Sequence, residues 1–207
     1  MMIKHILFDF DGVIIDSMPI KSAGFRKIFE EYDSEAVQSL IDYHNYNGGL
    51  SRYVKIKYFF EEIMGIPYDE KDIMRYANHF SEVVKEELNN PDHLISEVVQ
   101  FIREHQKDFT FHIVSGADEK ELKYLCEQLN ISQYFKSIHG SPVHKNDLVK
   151  QVLADNNYLK AETILIGDSI NDLEAAQVNE IGFYAYNNEA LRPLAANYIE
   201  HMADFVL

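Results

Sequence analysis

From Pro91 onward the chain alternates short apolar runs with longer amphipathic periods, and this alternation restricts the fold more than any other feature. Strand-like runs are predicted over 109–114, 137–139, 163–166 and 181–185. Between them lie helical periods. Leu94, Ile95, Val98, Val99 and Ile102 share one face of the first, which starts at Asp92. A second helix opens with Asp118 and Glu121 placed as a capping pair. A third runs from Lys145 through Leu148, Val149, Val152 and Leu153, and a fourth follows Ser169. Strands separated by helices of this length build a parallel sheet covered on both faces. Ligands of such sheets bind at the carboxyl ends of the strands.

The N-terminal stretch supplies a further strand, and with it the chemistry. Ile3 to Phe8 is an apolar run that delivers Asp9 and Asp11 with one residue between them. Alternation places positions i and i+2 on one side of a strand, so the two carboxylates crowd each other and call for positive charge nearby. Asp11-Gly12 between apolar residues is also a hairpin signal, with Asp9 then left at the surface. A second acidic cluster bears on the choice: Gly167-Asp168-Ser169-Ile170-Asn171-Asp172, again after an apolar run. A capping box of Ser169 and Asp172 explains part of it but leaves Asp168 at the strand end unexplained. Two strands that both end in acids are better explained together, as one site.

Composition narrows the partners. With 34 acids against 19 bases the net charge is -15, which disfavours nucleic acid and anionic membrane surfaces. An anionic substrate would need local positive charge against that field. The hydrophobic share of 46% suffices for a full core. The single cysteine, Cys126, rules out an internal disulfide and lies in the apolar rhythm of Leu122, Leu125 and Leu129, as a packed thiol would. The start of the chain lacks a signal-peptide layout and no run is long enough to cross a bilayer, so a cytoplasmic setting is expected.

Between the first strand and Pro91 the character changes. A helix is predicted over 17–32, with Pro19 in its first turn. Helical periods follow at Tyr53, Ile56, Phe60, Ile63 and at Ile73, Tyr76, Phe80, Val84, broken at Asn47-Gly48-Gly49, Gly65-Ile66-Pro67 and Asn89-Asn90-Pro91. The expected organisation is an α/β core with a Rossmann-like parallel sheet, residues 1–16 and 91–207, carrying an inserted small α-helical cap domain, residues 17–90.

Four motifs in this order, Asp9-Phe10-Asp11-Gly12-Val13, Ser115, Lys145 and Gly167 to Asp172, resemble those of the haloacid dehalogenase superfamily, phosphatase type. The helical insertion is similar to that family's smaller, helical cap. The resemblance implies that Asp9 is the nucleophile, forming an aspartyl-phosphate, and that Mg2+ is held by Asp9, Asp168 and the backbone carbonyl of Asp11, with Asp172 acting directly or through water. Asp11 would protonate the leaving alkoxide and then activate water. Dehalogenases lack an acid there, since a halide leaves without one. Ser115, Gly116 and the amides after them, at a helix N-terminus, would receive the phosphoryl oxygens, with Lys145 as a point charge. The family often has proline after that lysine, where this chain has Asn146; Lys150 is a weaker substitute.

Substrate choice is expected in the cap. Ser51 and Arg52, after the Asn47-Gly48-Gly49 loop, resemble the loop-plus-arginine of sugar-phosphate enzymes in the family, and Arg52 is suited to a second anionic group. Lys21 stands where the family's sugar phosphomutases carry histidine, which counts against a mutase. The expected activity is Mg2+-dependent hydrolysis of a small phosphorylated metabolite, a phosphosugar or phosphoglycolate-like monoester. A mutase using the same intermediate and a non-enzymatic phosphoacceptor module are the alternatives.

Overall fold

The computed structural model describes residues 2–205. Six strands, β1 (His5–Phe8), β2 (Thr110–Asp118), β3 (Ser137–Ser141), β4 (Thr163–Gly167), β5 (Gly182–Tyr186) and β6 (Tyr198–Ile199), form one sheet in the order β3-β2-β1-β4-β5-β6. Every pairing is parallel. Asp11-Gly12 therefore does not turn a hairpin. It forms a tight loop after β1 in which the Gly12 N–H donates to the Ile15 carbonyl at 2.8 Å. The chain crosses from β1 to β2 on one side and from β3 to β4 on the other, so β1 lies at the switch point where such sheets open a crevice.

Period-two alternation sorts the strand side chains to the two faces. Ile6, Phe8, Phe111, Ile113, Ile164 and Ile166 pack on the face covered by α5 (Ser96–His105) and α6 (Glu119–Gln128). Leu7, Val114 and Leu165 pack on the other, beneath α7 (Lys145–Asn156) and α8 (Ile170–Asn179). The alternation of strands and helices read from the sequence is thus the observed one. After Pro91 two boundaries differ most. Residues 91–93 form a 3-10 turn, with α5 beginning only at Ser96, and β2 continues past Val114 to Asp118 with its pairing to β3 irregular there.

Four α-helices separate β1 from α5: α1 (Met18–Ile28), α2 (Ser34–Tyr46), α3 (Arg52–Tyr58) and α4 (Glu70–Leu88), with a π turn over Phe59–Met64. The first ends at Ile28, four residues short of the predicted limit, because Asp33 caps a separate α2 by accepting from the Glu35 and Ala36 amides. These helices share an aromatic interior: Phe29 lies 4.1 Å from Phe59 and 4.7 Å from Tyr76, centroid to centroid, and Phe25 lies 4.5 Å from Phe80. Their apolar faces join those of β1 through Phe10, Val13 and Ile14. No helix among the described residues is long and apolar enough to cross a membrane.

Candidate active site

The chain leaves β1 into Asp9, whose N–H donates to the Ile166 carbonyl at the end of β4. This bond holds the first acidic motif against the second. After Gly167 come Asp168 and Ser169, and α8 begins at Ile170 under a complete capping box. Asp172 serves two ends at once. Its Oδ2 accepts from the Ser169 N–H and hydroxyl, at 3.1 and 2.6 Å, while its Oδ1 faces Lys145 Nζ at 2.5 Å. Lys145 Nζ also lies 3.0 Å from Asp9 Oδ1. Asp172 thus completes the capping box with one oxygen and meets Lys145 with the other.

Asp9, Asp168 and Asp172 each offer an oxygen within 4.8 Å of the others. Unit charges at that separation repel by about 3.5 kcal/mol per pair at an effective dielectric of 20. Burial, and then Asp172, push the Asp9 carboxyl well above the usual carboxylate range; burial, and then Asp9, do the same to Asp168. Burial alone would lower the Lys145 pKa, but Asp172 and Asp9 outweigh it and keep the ammonium charged. Fully ionised, the three carboxylates and one ammonium would carry two negative charges in a buried setting of oxygen donors. A hard divalent ion with an oxygen shell fits that charge and that donor set. Gly12 makes room for the Asp168 carboxylate: with φ +75° it leaves space where a Cβ would stand 2.0 Å from Asp168 Oδ2.

The Asp11 carboxylate does not join this trio. Ser17 Oγ donates to its Oδ1 at 2.5 Å and Lys21 Nζ to its Oδ2 at 2.5 Å. Burial works to raise its pKa, yet Lys21 and Ser17 hold it below the ordinary value. Asp11 stands here as an anion.

Ser115 is buried, and its Oγ accepts from the Ala117 N–H at 3.2 Å. The expectation that the amides after Ser115 and Gly116 open a helix needs correction. The strand continues, and α6 starts at Glu119 with Asp118 as its cap. Only half of the expected capping pair forms, since the Glu121 carboxylate turns away to Arg52. Lys145 is buried at the start of α7 and reaches the acids, whereas Lys150 is exposed. Burial pushes the Cys126 thiol up to about 12, as for an inert core group.

Above the acids a small cavity is walled by Asp11, Lys21, His44, Lys55, Arg52 and Phe80, among others. The Gly48-Gly49 loop closes directly on the core: a Cβ on Gly116 would stand 2.1 Å from the Gly49 carbonyl oxygen. Ser51 caps α3 by accepting from the Val54 N–H. The Arg52 head lies over the Phe80 ring, 5.0 Å from its centroid, and donates to Glu121 and Ser81. Tyr53 OH donates to Asp118 at 3.0 Å beside it.

Two wall residues, Lys55 and His44, lie outside the expected set of site residues. Lys55 Nζ lies 2.8 Å from His44 Nδ1 and donates to the Gly48 carbonyl at 3.2 Å. Burial, with Lys21 next, lowers the Lys55 amine to about 7, and burial keeps His44 neutral with Lys55 beside it. The available signal was spacing: Lys55 follows Arg52 by three positions, on one face of α3 next to buried Ile56.

The chain matches the haloacid dehalogenase-like hydrolase family over residues 6–186. It belongs to the haloacid dehalogenase-like hydrolases. Membership makes it an enzyme and sets aside the phosphoacceptor module. Among curated relatives of this HAD-like hydrolase is a phosphoglycolate phosphatase of Vibrio parahaemolyticus, 27% identical, with 98% of this chain and 92% of that protein aligned. Among solved structures, the β-phosphoglucomutase of Clostridium difficile superposes with a TM-score of 0.81 at 16% identity, covering 100% of this chain and 94% of that one. The magnesium-bound HAD-hydrolase YfnB of Bacillus subtilis gives 0.73 at 16% identity, covering 98% and 96%. At these identities the superpositions speak for the fold.

Proposed function

We propose that this hydrolase is a Mg2+-dependent phosphatase acting on a small phosphorylated metabolite, phosphoglycolate-like, through an aspartyl-phosphate on Asp9. The observation that carries the reading is the convergence of Asp9, Asp168 and Asp172 on one point, with Lys145 between two of them. Asp9, Asp168, the Asp11 carbonyl and Asp172 would hold the ion. When bound, it neutralises the crowded acids and the phosphate so that one anion can approach another.

The chain's own residues then divide the work. An Asp9 oxygen attacks phosphorus while the ester P–O bond breaks, and Asp11, carrying a proton, gives it to the leaving alkoxide. Asp11, now anionic, takes a proton from water as that water attacks the aspartyl-phosphate. Inorganic phosphate leaves and Asp9 is restored. The ion-paired Asp11 seen here suits the second half of this cycle. Lys145 and the Ser115-Gly116 segment would steady the phosphoryl oxygens. Residues 17–90 would act as the cap that shuts water out, with Ser51, Arg52 and Lys21 on its inner side.

A mutase reading draws support from the likeness to a β-phosphoglucomutase. Lys21 weighs against it, being locked to Asp11 where the mutases of the family have histidine. A screen of phosphorylated metabolites with Mg2+, scoring free phosphate against isomerised sugar phosphate, separates the two. Release of phosphate that stops on chelation supports the proposal; isomerisation without release contradicts it.

A further inference from the structure

We propose that Lys55, positioned by His44, receives a second anionic group of the substrate, a carboxylate, and so selects phosphorylated hydroxy acids over esters with an uncharged tail. This rests on the phosphatase reading above. Lys55 lies in the wall of the cavity that also contains Asp11, so a group bound there sits at the tail of an ester whose phosphate faces Asp9.

Donor accounting favours Lys55 over its neighbours. An ammonium has three N–H donors. His44 Nδ1 and the Gly48 carbonyl occupy two of them, and the third is left for a ligand. His44 is neutral and its ring packs 5.0 Å from Phe25, so Nδ1 presents a fixed lone pair that aims the ammonium. Arg52, by contrast, is already spent on Glu121 and Ser81 and joins the helical layer to the core. Lys21 and Lys55 together face one carboxylate, that of Asp11. An incoming carboxylate would therefore meet a second amine beside Lys21 and favour its charged form, in a chain whose net charge is -15.

The form of the cavity decides which anion. Its open space is only about 20 Å³, far less than most ligand sites occupy, so only a small group could enter. Phe25, Leu50 and Phe80 limit its depth. Glu121 and Asp118 stand behind Arg52 and Tyr53, where a bulky second phosphate would meet negative charge. A carboxylate one or two carbons from the ester oxygen fits these limits. The family likeness does not supply this residue: neither the motif order nor the loop-plus-arginine includes Lys55.

The test compares 2-phosphoglycolate with ethyl phosphate on the full-length enzyme with Mg2+. The two esters have similar leaving groups and differ in the carboxylate. The wild type is expected to prefer 2-phosphoglycolate. In Lys55→Met the ratio of the two kcat/KM values should fall at least about tenfold, the worth of one charge-assisted hydrogen bond, mostly through KM. Lys55→Arg should keep more of the ratio. His44→Leu should shift KM in the same sense, and His44→Asn, whose amide oxygen mimics Nδ1, should restore it. Equal losses on both esters would reduce Lys55 to a tie for the Gly48 loop and overturn the inference while leaving the phosphatase intact. Failure to release phosphate from any monoester would overturn both.

Discussion

Lys145 Nζ lies 2.5 Å from Asp172 Oδ1 and 3.0 Å from Asp9 Oδ1, so the first residue of α7 ties the end of β1 to the first turn of α8. It is the one cation among the described residues in contact with the acidic trio. Breaking a buried pair from one side leaves an unpaired buried charge. Lys145→Met should therefore lose about 3 kcal/mol of stability in chelator-treated buffer. Millimolar Mg2+ should return more of that loss than it adds to the wild type, because binding to the folded state alone stabilises by mass action. Urea titrations with and without Mg2+ measure both; an equal Mg2+ effect on the two proteins contradicts the arrangement.

Gly12 tests the same site from the backbone side. A Cβ there would collide with the Asp168 carboxylate, and the positive φ already disfavours any other residue. Gly12→Ala should weaken Mg2+ binding by about 10–100-fold, as displacement of a ligand's support does. Activity should return in part at high Mg2+. Unchanged Mg2+ dependence would mean that Asp168 is not held to the ion.

Arg52 and Glu121 join α3 to α6 in a buried pair, and Arg52 also reaches Ser81. A double-mutant cycle with Arg52→Ala and Glu121→Ala should show a coupling of about 1–3 kcal/mol in unfolding free energy. On activity, Arg52→Ala should harm a carboxylate-bearing ester more than an aryl phosphate, because Arg52 holds part of the wall of the cavity that such an ester would fill. Additive stabilities would make the pair a surface contact.

Much of this architecture is visible in the sequence because local rules carry it. Apolar runs ending in acids placed Asp9 and Asp168 at strand ends, and Ser169 with Asp172 read correctly as a box. What was hidden depends on packing between distant segments. Lys55 and Lys57 look alike in the chain, yet α2 covers the first through His44 and leaves the second exposed. Glu121 has the spacing of a capping partner, but a guanidinium from 69 residues away outcompetes the backbone amide for its carboxylate. The extension of β2 past Ser115 follows from pairing with β3, which no local pattern reveals.

Acid stability should carry the mark of His112. Its ring is buried on β2, with Nδ1 2.6 Å from Ser137 Oγ and Nε2 3.1 Å from Tyr158 OH, and burial, with Lys136 next, lowers its pKa to about 4. The unfolded chain protonates this ring near its ordinary value of 6.5. Between the two values the unfolded state binds more protons, so stability falls as pH drops from 6.5 toward 4. At about pH 5 the group should cost about 2 kcal/mol relative to neutral pH. His112→Gln should flatten that part of the unfolding-versus-pH curve; an unchanged slope would mean that the ring is not held neutral.

The central claim, an Asp9 nucleophile beside a divalent ion, is tested most directly by Asp9→Asn with Mg2+ present. The variant keeps shape and hydrogen-bonding capacity but loses the attacking carboxylate. Steady-state phosphate release from p-nitrophenyl phosphate should fall by at least about a thousandfold. A rate within tenfold of the wild type would contradict the account.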